Sequence, residues 1–142
     1  MSVARGITET VTEQREWLDK AEQSLRGAES EFANQRYDNA ANRAYYACFH
    51  AAIAALIGAG EHPLGEKGTR SHSAIQAMFA GLLIRRRKIY PADLASVLPD
   101  SYSLRDQADY TITVTSELEV KRALDKARRL VTAVGREVRR SR

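Results

Sequence analysis

Asn39-Ala40-Ala41-Asn42-Arg43-Ala44-Tyr45-Tyr46-Ala47-Cys48-Phe49-His50-Ala51-Ala52-Ile53-Ala54-Ala55-Leu56-Ile57 is the stretch whose periodicity decides the fold. Wound as a helix, it places Ala40, Ala41, Ala44, Tyr45, Cys48, Ala51, Ala52, Ala55 and Leu56 on one broad face, with Phe49, Ile53 and Ile57 beside it. Asp38 is the expected N-cap, and Gly58 and Gly60 close the helix at about Leu56 or Ile57. Such a helix must be largely buried. Yet Asn39, Arg43, Tyr46 and His50 interrupt it at helical spacing, and residues seven apart lie within about 20° of one another, so Arg43 and His50 share a direction. An unpaired buried guanidinium costs several kcal/mol, so this polar stripe must face a charged partner chain, a water-filled cleft or a ligand.

Upstream, Thr10-x-x-Glu13 has the spacing of a capping box, and Trp17, Ala21, Leu25, Ala28 and Phe32 form an amphipathic stripe that should end near Gln35. Downstream, Glu61 to Arg70 is a loop. Ser71 or Ser73 then caps a helix running through Ile75, Met78, Phe79, Leu82 and Leu83 to about Lys88. Pro91 and Pro99 bracket a short helical turn, and Tyr110 to Thr115 is the one stretch with strand character. Ser116-x-x-Glu119 repeats the capping-box spacing ahead of a last helix carrying Leu118, Leu124, Ala127, Leu130, Val131 and Val134. The expected fold is therefore all-α, an antiparallel up-and-down four-helix bundle with a short extra helix before the last helix. Residues 1–142 read as one helical domain, with 1–10 and 136–142 expected to be flexible.

The 142 residues, 44% hydrophobic and 28% charged, suit one globular domain rather than a disordered chain. A single cysteine, Cys48, cannot make an intramolecular disulfide, and its apolar setting is that of a small hydrophobe. The most apolar run, Ala51 to Gly60, is well short of the roughly 18 residues that span a bilayer, and Met1 to Thr10 shows no signal pattern. A reducing, cytoplasmic setting with no membrane partner is the expectation. Basic residues gather late in the chain, where Lys121 to Arg142 and Arg85-Arg86-Arg87-Lys88 are either solvated helix ends or contacts for a polyanion such as RNA.

Asn42-Arg43-Ala44-Tyr45-Tyr46-Ala47-Cys48-Phe49-His50-Ala51-Ala52 closely resembles the helix of the HEPN domain family that carries its Arg-x4-6-His motif, here with six intervening residues. Ser71-His72-Ser73 opening a helix that contains Phe79, and Arg105-Asp106-Gln107-Ala108-Asp109-Tyr110 before the last helix, resemble its small single-domain bacterial and archaeal members. The likeness runs from about Trp17 to Val134. It implies a homodimer with the motif helices facing each other. In active members it implies a metal-independent endoribonuclease, often a toxin neutralised by a nucleotidyltransferase-type antitoxin. The position two after the histidine, which some toxins present as a tyrosine for nucleotidylation, is Ala52, so that modification is not expected.

The chemistry suits these residues. Metal-free RNA cleavage needs a base for the 2′-hydroxyl, a cation for the phosphorane and an acid for the leaving 5′-oxygen. His50, with an ordinary pKa near 6.5, is the proton-transfer group, and Arg43 the phosphate-binding cation. One His50 cannot fill both proton roles, whereas a two-fold dimer brings two His50 and two Arg43 to one cleft. The same dimer offers to bury Phe49, Ile53 and Ile57. Asn39, Tyr46, Arg105 and the run Arg85, Arg86, Arg87, Lys88 are the candidate substrate contacts, with Tyr45 and Tyr46 also read as packing aromatics and Arg105 with Asp109 as a helix-end ion pair. No cofactor is expected. The irregular spacing of His62, His72, Glu61 and Glu66 matches no metal site, and Cys48 has no partner for thiol catalysis. A non-catalytic helical module binding nucleotide, RNA or protein is the alternative, with Arg43 and His50 pairing to neighbouring acids.

Overall fold

The computed structural model describes residues 3–65, 71–112 and 114–140, with side chains from residue 9 onward. Helix α1 spans Val3–Ala33, α2 Tyr37–Gly58, α3 His72–Met78, α4 Val97–Tyr110 and α5 Glu117–Arg140. Phe79–Arg86 continues α3 as a wider π-helix, and Ala92–Leu94 makes a single 3-10 turn. Among the described residues there is no strand, and no helix is long and apolar enough to cross a membrane.

Local chemistry sets most of the boundaries. The link from α1 to α2 is a Schellman turn, with Arg36 N–H reaching Glu31 C=O at 2.9 Å and Gln35 N–H reaching Phe32 C=O at 3.0 Å. It forces Gln35 to a left-handed φ of 62°, which a side chain makes costly by about 1 kcal/mol. The same motif ends α2 around Gly60 (φ 87°), where glycine carries no such cost. Ser71 Oγ accepts from Ala74 N–H to cap α3. Ser116 and Glu119 exchange their expected reciprocal bonds at the head of α5.

Four local expectations are corrected. Thr10 lies inside α1, because with no proline before it a capping-box sequence does not stop a helix already running from Val3. Asp38 does not cap α2. It lies in the first turn, and its Oδ1 accepts from Thr115 N–H (3.1 Å) and Thr115 Oγ (2.7 Å), anchoring the chain just before α5. Pro99 does not end a turn but is the third residue of α4, a first-turn position whose N–H a helix leaves unbonded, so α4 continues to Tyr110. Finally, Tyr110 closes α4, and Thr111, Ile112, Val114 and Thr115 form no strand, Thr113 lying outside the described residues.

Contacts between the long helices give an alternating up-and-down arrangement of α1, α2, α4 and α5. The α1 to α2 link brings Gln14 beside Ala54, to whose carbonyl it donates at 3.2 Å. Asn42 meets Asp109 at one end of the α2 and α4 pair, and Tyr45 meets Tyr102 farther along. Lys126 pairs with Asp100 across α4 and α5, and Arg128 with Glu29 across α5 and α1. The centre is α2, of whose 22 residues 13 are buried. Its alanines let the neighbouring helices approach closely, while Tyr45, Ile53 and Leu56 fill the space between them. Ile53 and Ile57 are only 1% and 6% exposed within the single chain. They therefore need no second copy to be buried, contrary to the expectation from sequence, and of that trio Phe49 alone is left half-buried.

Candidate functional site

The polar stripe of α2 survives folding as a surface. Asn39 and Arg43 are exposed and Tyr46 and His50 half-buried, although the residues between them on either side pack into the core. Arg43 lies across Gly27 of α1, close enough that an added Cβ would sit 3.5 Å from its Cδ, an ordinary packing contact. The guanidinium stands 5.8 Å from the centre of the Tyr46 ring, and its Nη2 donates to Asn42 Oδ1 at 3.3 Å. Asn42 in turn donates to Asp109 Oδ2 at 3.0 Å. Arg105 Nε approaches that same oxygen at 3.1 Å without the alignment of a hydrogen bond, and its guanidinium lies 5.6 Å from the Tyr46 ring. Arg105 thus does both things weighed for it, pairing with Asp109 and reaching the stripe. Asn39 donates to Glu31 Oε2 at 3.4 Å, and a cleft of about 330 Å³ runs between Gly27, Glu31, Asn39, Asn42, Arg43 and Asp109.

His50 extends the site along α2. Its ring centre lies 5.4 Å from that of Trp17 and 5.8 Å from that of Tyr46, and its buried Nδ1 has no hydrogen-bond partner among the described residues. Burial first, then the positive charges of Lys20 and Arg43, hold its pKa down to about 4. In the single chain the imidazole is neutral at pH 7, so it is set up to accept a proton rather than to give one.

A second histidine joins the cluster that sequence reasoning left outside it. His72, at the head of α3, stacks on Phe49 with ring centres 4.5 Å apart and stands 6.3 Å from Tyr46. Its Nδ1 is 2.5 Å from the hydroxyl of fully buried Tyr45. Burial raises the pKa of that phenol, which stays protonated, while burial and the Arg105 charge lower that of His72. The available signal was the serine-flanked histidine at a helix start, whose helix had to be packed against α2 before its neighbours became visible. Tyr46 is consequently the hub of two guanidiniums and two imidazoles.

The basic run is elsewhere. Arg85, Arg86, Arg87 and Lys88 are exposed at the end of the π-helix. Arg87 Nη1 donates to Ala59 C=O at 2.7 Å, at the C-terminal end of α2, where a positive charge is favoured by the helix dipole. Ala59 lies sixteen residues beyond Arg43, about 24 Å along the helix at 1.5 Å per residue. Arg85 and Arg86 border a shallow groove with Met78 and Leu82. Cys48 is fully buried and its thiol is pushed up to about 12 by burial, which suits packing and not nucleophilic attack. Among the described residues no three His, Cys, Asp or Glu side chains come close enough together to hold a metal ion.

Comparison with known proteins identifies the family of the chain. The family described as HEPN domain matches residues 14–138. A Methanocaldococcus jannaschii protein named "Putative toxin" is 31% identical over 117 residues, covering 82% of each chain. An Archaeoglobus fulgidus protein named "UPF0332 protein" is 31% identical over 106 residues, 73% of this chain and 78% of its own.

Proposed function

The chain belongs to the HEPN domain family, and on that premise we propose that it is a metal-independent endoribonuclease of toxin type, working as a homodimer with a composite Arg43 and His50 site. The observation that carries this reading is the convergence on Tyr46 of Arg43, Arg105 and His50, on a face of an otherwise buried helix that remains open to solvent. Neutral His50 takes the 2′-hydroxyl proton, and Arg43 holds the two charged oxygens of the phosphorane. Arg105 and Tyr46 line the scissile phosphate, with Asn39 at the edge of the cleft. The partner's His50 supplies a second imidazole, the least elaborate source of the leaving-group proton in a two-fold assembly. Arg85 to Lys88 add contacts to the flanking backbone that are blind to sequence. The name carried by the Methanocaldococcus jannaschii relative supports a toxin role; a nucleotidyltransferase-type antitoxin and a cytoplasmic location belong to the same proposal.

One observation favours the non-catalytic alternative, a HEPN module that binds RNA, nucleotide or protein. The Asn42 and Asp109 bridge already engages Arg43 and Arg105, as a structural network would. Incubating the purified protein with mixed RNAs in excess EDTA separates the two. The ribonuclease reading expects cleavage, lowered about 10²-fold or more by Arg43→Ala or His50→Ala, as losses of charge-stabilising and acid-base groups usually are. Intact RNA, or equal cleavage by His50→Ala, leaves the module reading in its place.

A further inference from the structure

The sequence places His72 22 residues beyond His50, yet the fold seats both imidazoles against the same two aromatic rings. Their centres lie 6.1 Å (His50) and 4.5 Å (His72) from Phe49, and 5.8 Å and 6.3 Å from Tyr46. His72 is held at three points: stacking on Phe49, the 2.5 Å contact of its Nδ1 with Tyr45, and the cap of its helix by Ser71. The buried Tyr45 hydroxyl suits either state of the ring, because a phenol donates to Nδ1 of a neutral imidazole and accepts from Nδ1–H of a charged one. In both cases Nε2 carries the proton, on the side of the ring away from Tyr45.

We infer that His72 is a catalytic residue of the proposed RNA cleavage, the general acid that protonates the leaving 5′-oxygen, within the same protomer as the base His50. The inference rests on the ribonuclease reading, and it takes over the role given above to the partner's His50. In the step itself the 2′-oxygen loses its proton to His50 while its electron pair forms the new bond to phosphorus. The bond from phosphorus to the 5′-oxygen breaks, and that oxygen takes the proton from Nε2 of His72, which the negative charge of the bound phosphate keeps as the imidazolium against the lowering by burial and Arg105. The products are a 2′,3′-cyclic phosphate and a 5′-hydroxyl, with His50 charged and His72 neutral. Base and acid each need to come within about 3 Å of oxygens on opposite sides of one phosphorus, and both imidazoles lie against the same Phe49 and Tyr46 rings. Arg105, 5.6 Å from Tyr46, stands beside the phosphate so placed.

The test compares two substrates that differ only in their need for an acid. A dinucleotide has an alkoxide leaving group that must be protonated, whereas a nucleoside 3′-(4-nitrophenyl phosphate) releases a phenolate that leaves unaided. His72→Asn keeps a polar atom near the place of Nδ1 for Tyr45 but cannot transfer a proton. It should cleave the dinucleotide about 10²-fold more slowly than wild type and the nitrophenyl ester at the wild-type rate. His50→Ala should be slow on both. A His72→Asn variant that cleaves the dinucleotide normally overturns the inference and returns the acid role to the partner's His50. Equal losses on both substrates also overturn it, because they mark His72 as structural. His72→Gln, which places its amide near Nε2, repeats the comparison if the asparagine variant loses helix content, and loss of helix content in both variants counts against the acid role. Wild type inactive on both substrates removes the ribonuclease reading itself.

Discussion

Lowering the pH should destabilise this protein through His50, and the size of the effect can be worked from its surroundings. The imidazole lies between Trp17 and Tyr46 with Lys20 and Arg43 nearby, and burial followed by those charges takes its pKa from 6.5 to about 4. The unfolded chain binds a proton at His50 as the pH falls through about 6.5, and the folded chain does so only near 4. Between those values the unfolded state holds more protons, so stability is fully present above the upper value, falls through the window and levels off below the lower one. At 1.36 kcal/mol per unit the shift would be worth about 3 kcal/mol in a dry site, and water reaching a half-buried ring reduces that to about 1–2 kcal/mol. His72 titrates in the same direction, so the informative quantity is the difference between wild type and His50→Asn. Denaturant unfolding at about pH 7 and about pH 4.5 should show wild type losing about 1 kcal/mol more than the variant. Histidine ring NMR of the wild type should place the His50 midpoint well below that of free imidazole. A midpoint near 6.5, with equal losses in both proteins, would refute the buried, neutral base on which the reaction scheme depends.

Asp38→Ala removes the acceptor for the N–H and hydroxyl of Thr115, a residue only 1% exposed. A loss of about 2–3 kcal/mol in denaturant unfolding is expected, and a change near zero would show that this link does not anchor the start of α5. Cys48→Trp, set on the fully buried face of α2, should overpack the bundle and cost about 1–3 kcal/mol or more, whereas His50→Ala should keep a near-native melting midpoint; the reverse order would contradict the assignment of the two faces. Replacing Arg85, Arg86, Arg87 and Lys88 together by glutamine should weaken RNA binding and flatten its dependence on salt, measured by fluorescence anisotropy over a salt series. An unchanged slope would return the run to a solvated helix end.

What could be read along the chain was whatever a few consecutive residues decide. The alanine-rich face of α2, the Ser116 and Glu119 box, the Ser71 cap and the glycine closing α2 each act within one or two turns, and each is in the fold. Where the reading failed, a distant partner or a neighbouring turn outweighed the local signal. Asp38 is drawn to Thr115, 77 positions away, in place of its own helix terminus. Pro99 reads as bracketing a short turn, because its place within a first turn depends on where α4 begins. The site divides in the same way. Arg43, Tyr46 and His50 were legible because one helix spaces them, and Arg105 was legible as a candidate, but its approach to Tyr46 requires α4 to pack against α2. His72 was unreadable as a member because Phe49 and Tyr45 receive it from another helix. The burial of Ile53 and Ile57 inside one copy likewise depends on the packing of neighbouring helices, so the case for a dimer now rests on the motif face rather than on apolar surface in need of cover.

The central claim, that Arg43 and His50 cleave RNA by attack of its own 2′-hydroxyl, is tested most directly by the chemistry of the ends produced. A short RNA of defined sequence is incubated with the purified protein in excess EDTA and its fragments are weighed by mass spectrometry. The account predicts fragments ending in 2′,3′-cyclic phosphate paired with fragments beginning in 5′-hydroxyl, formed more slowly by about 10²-fold or more with His50→Ala. Fragments ending in 3′-hydroxyl, or the same cyclic ends at the same rate without His50, would contradict it.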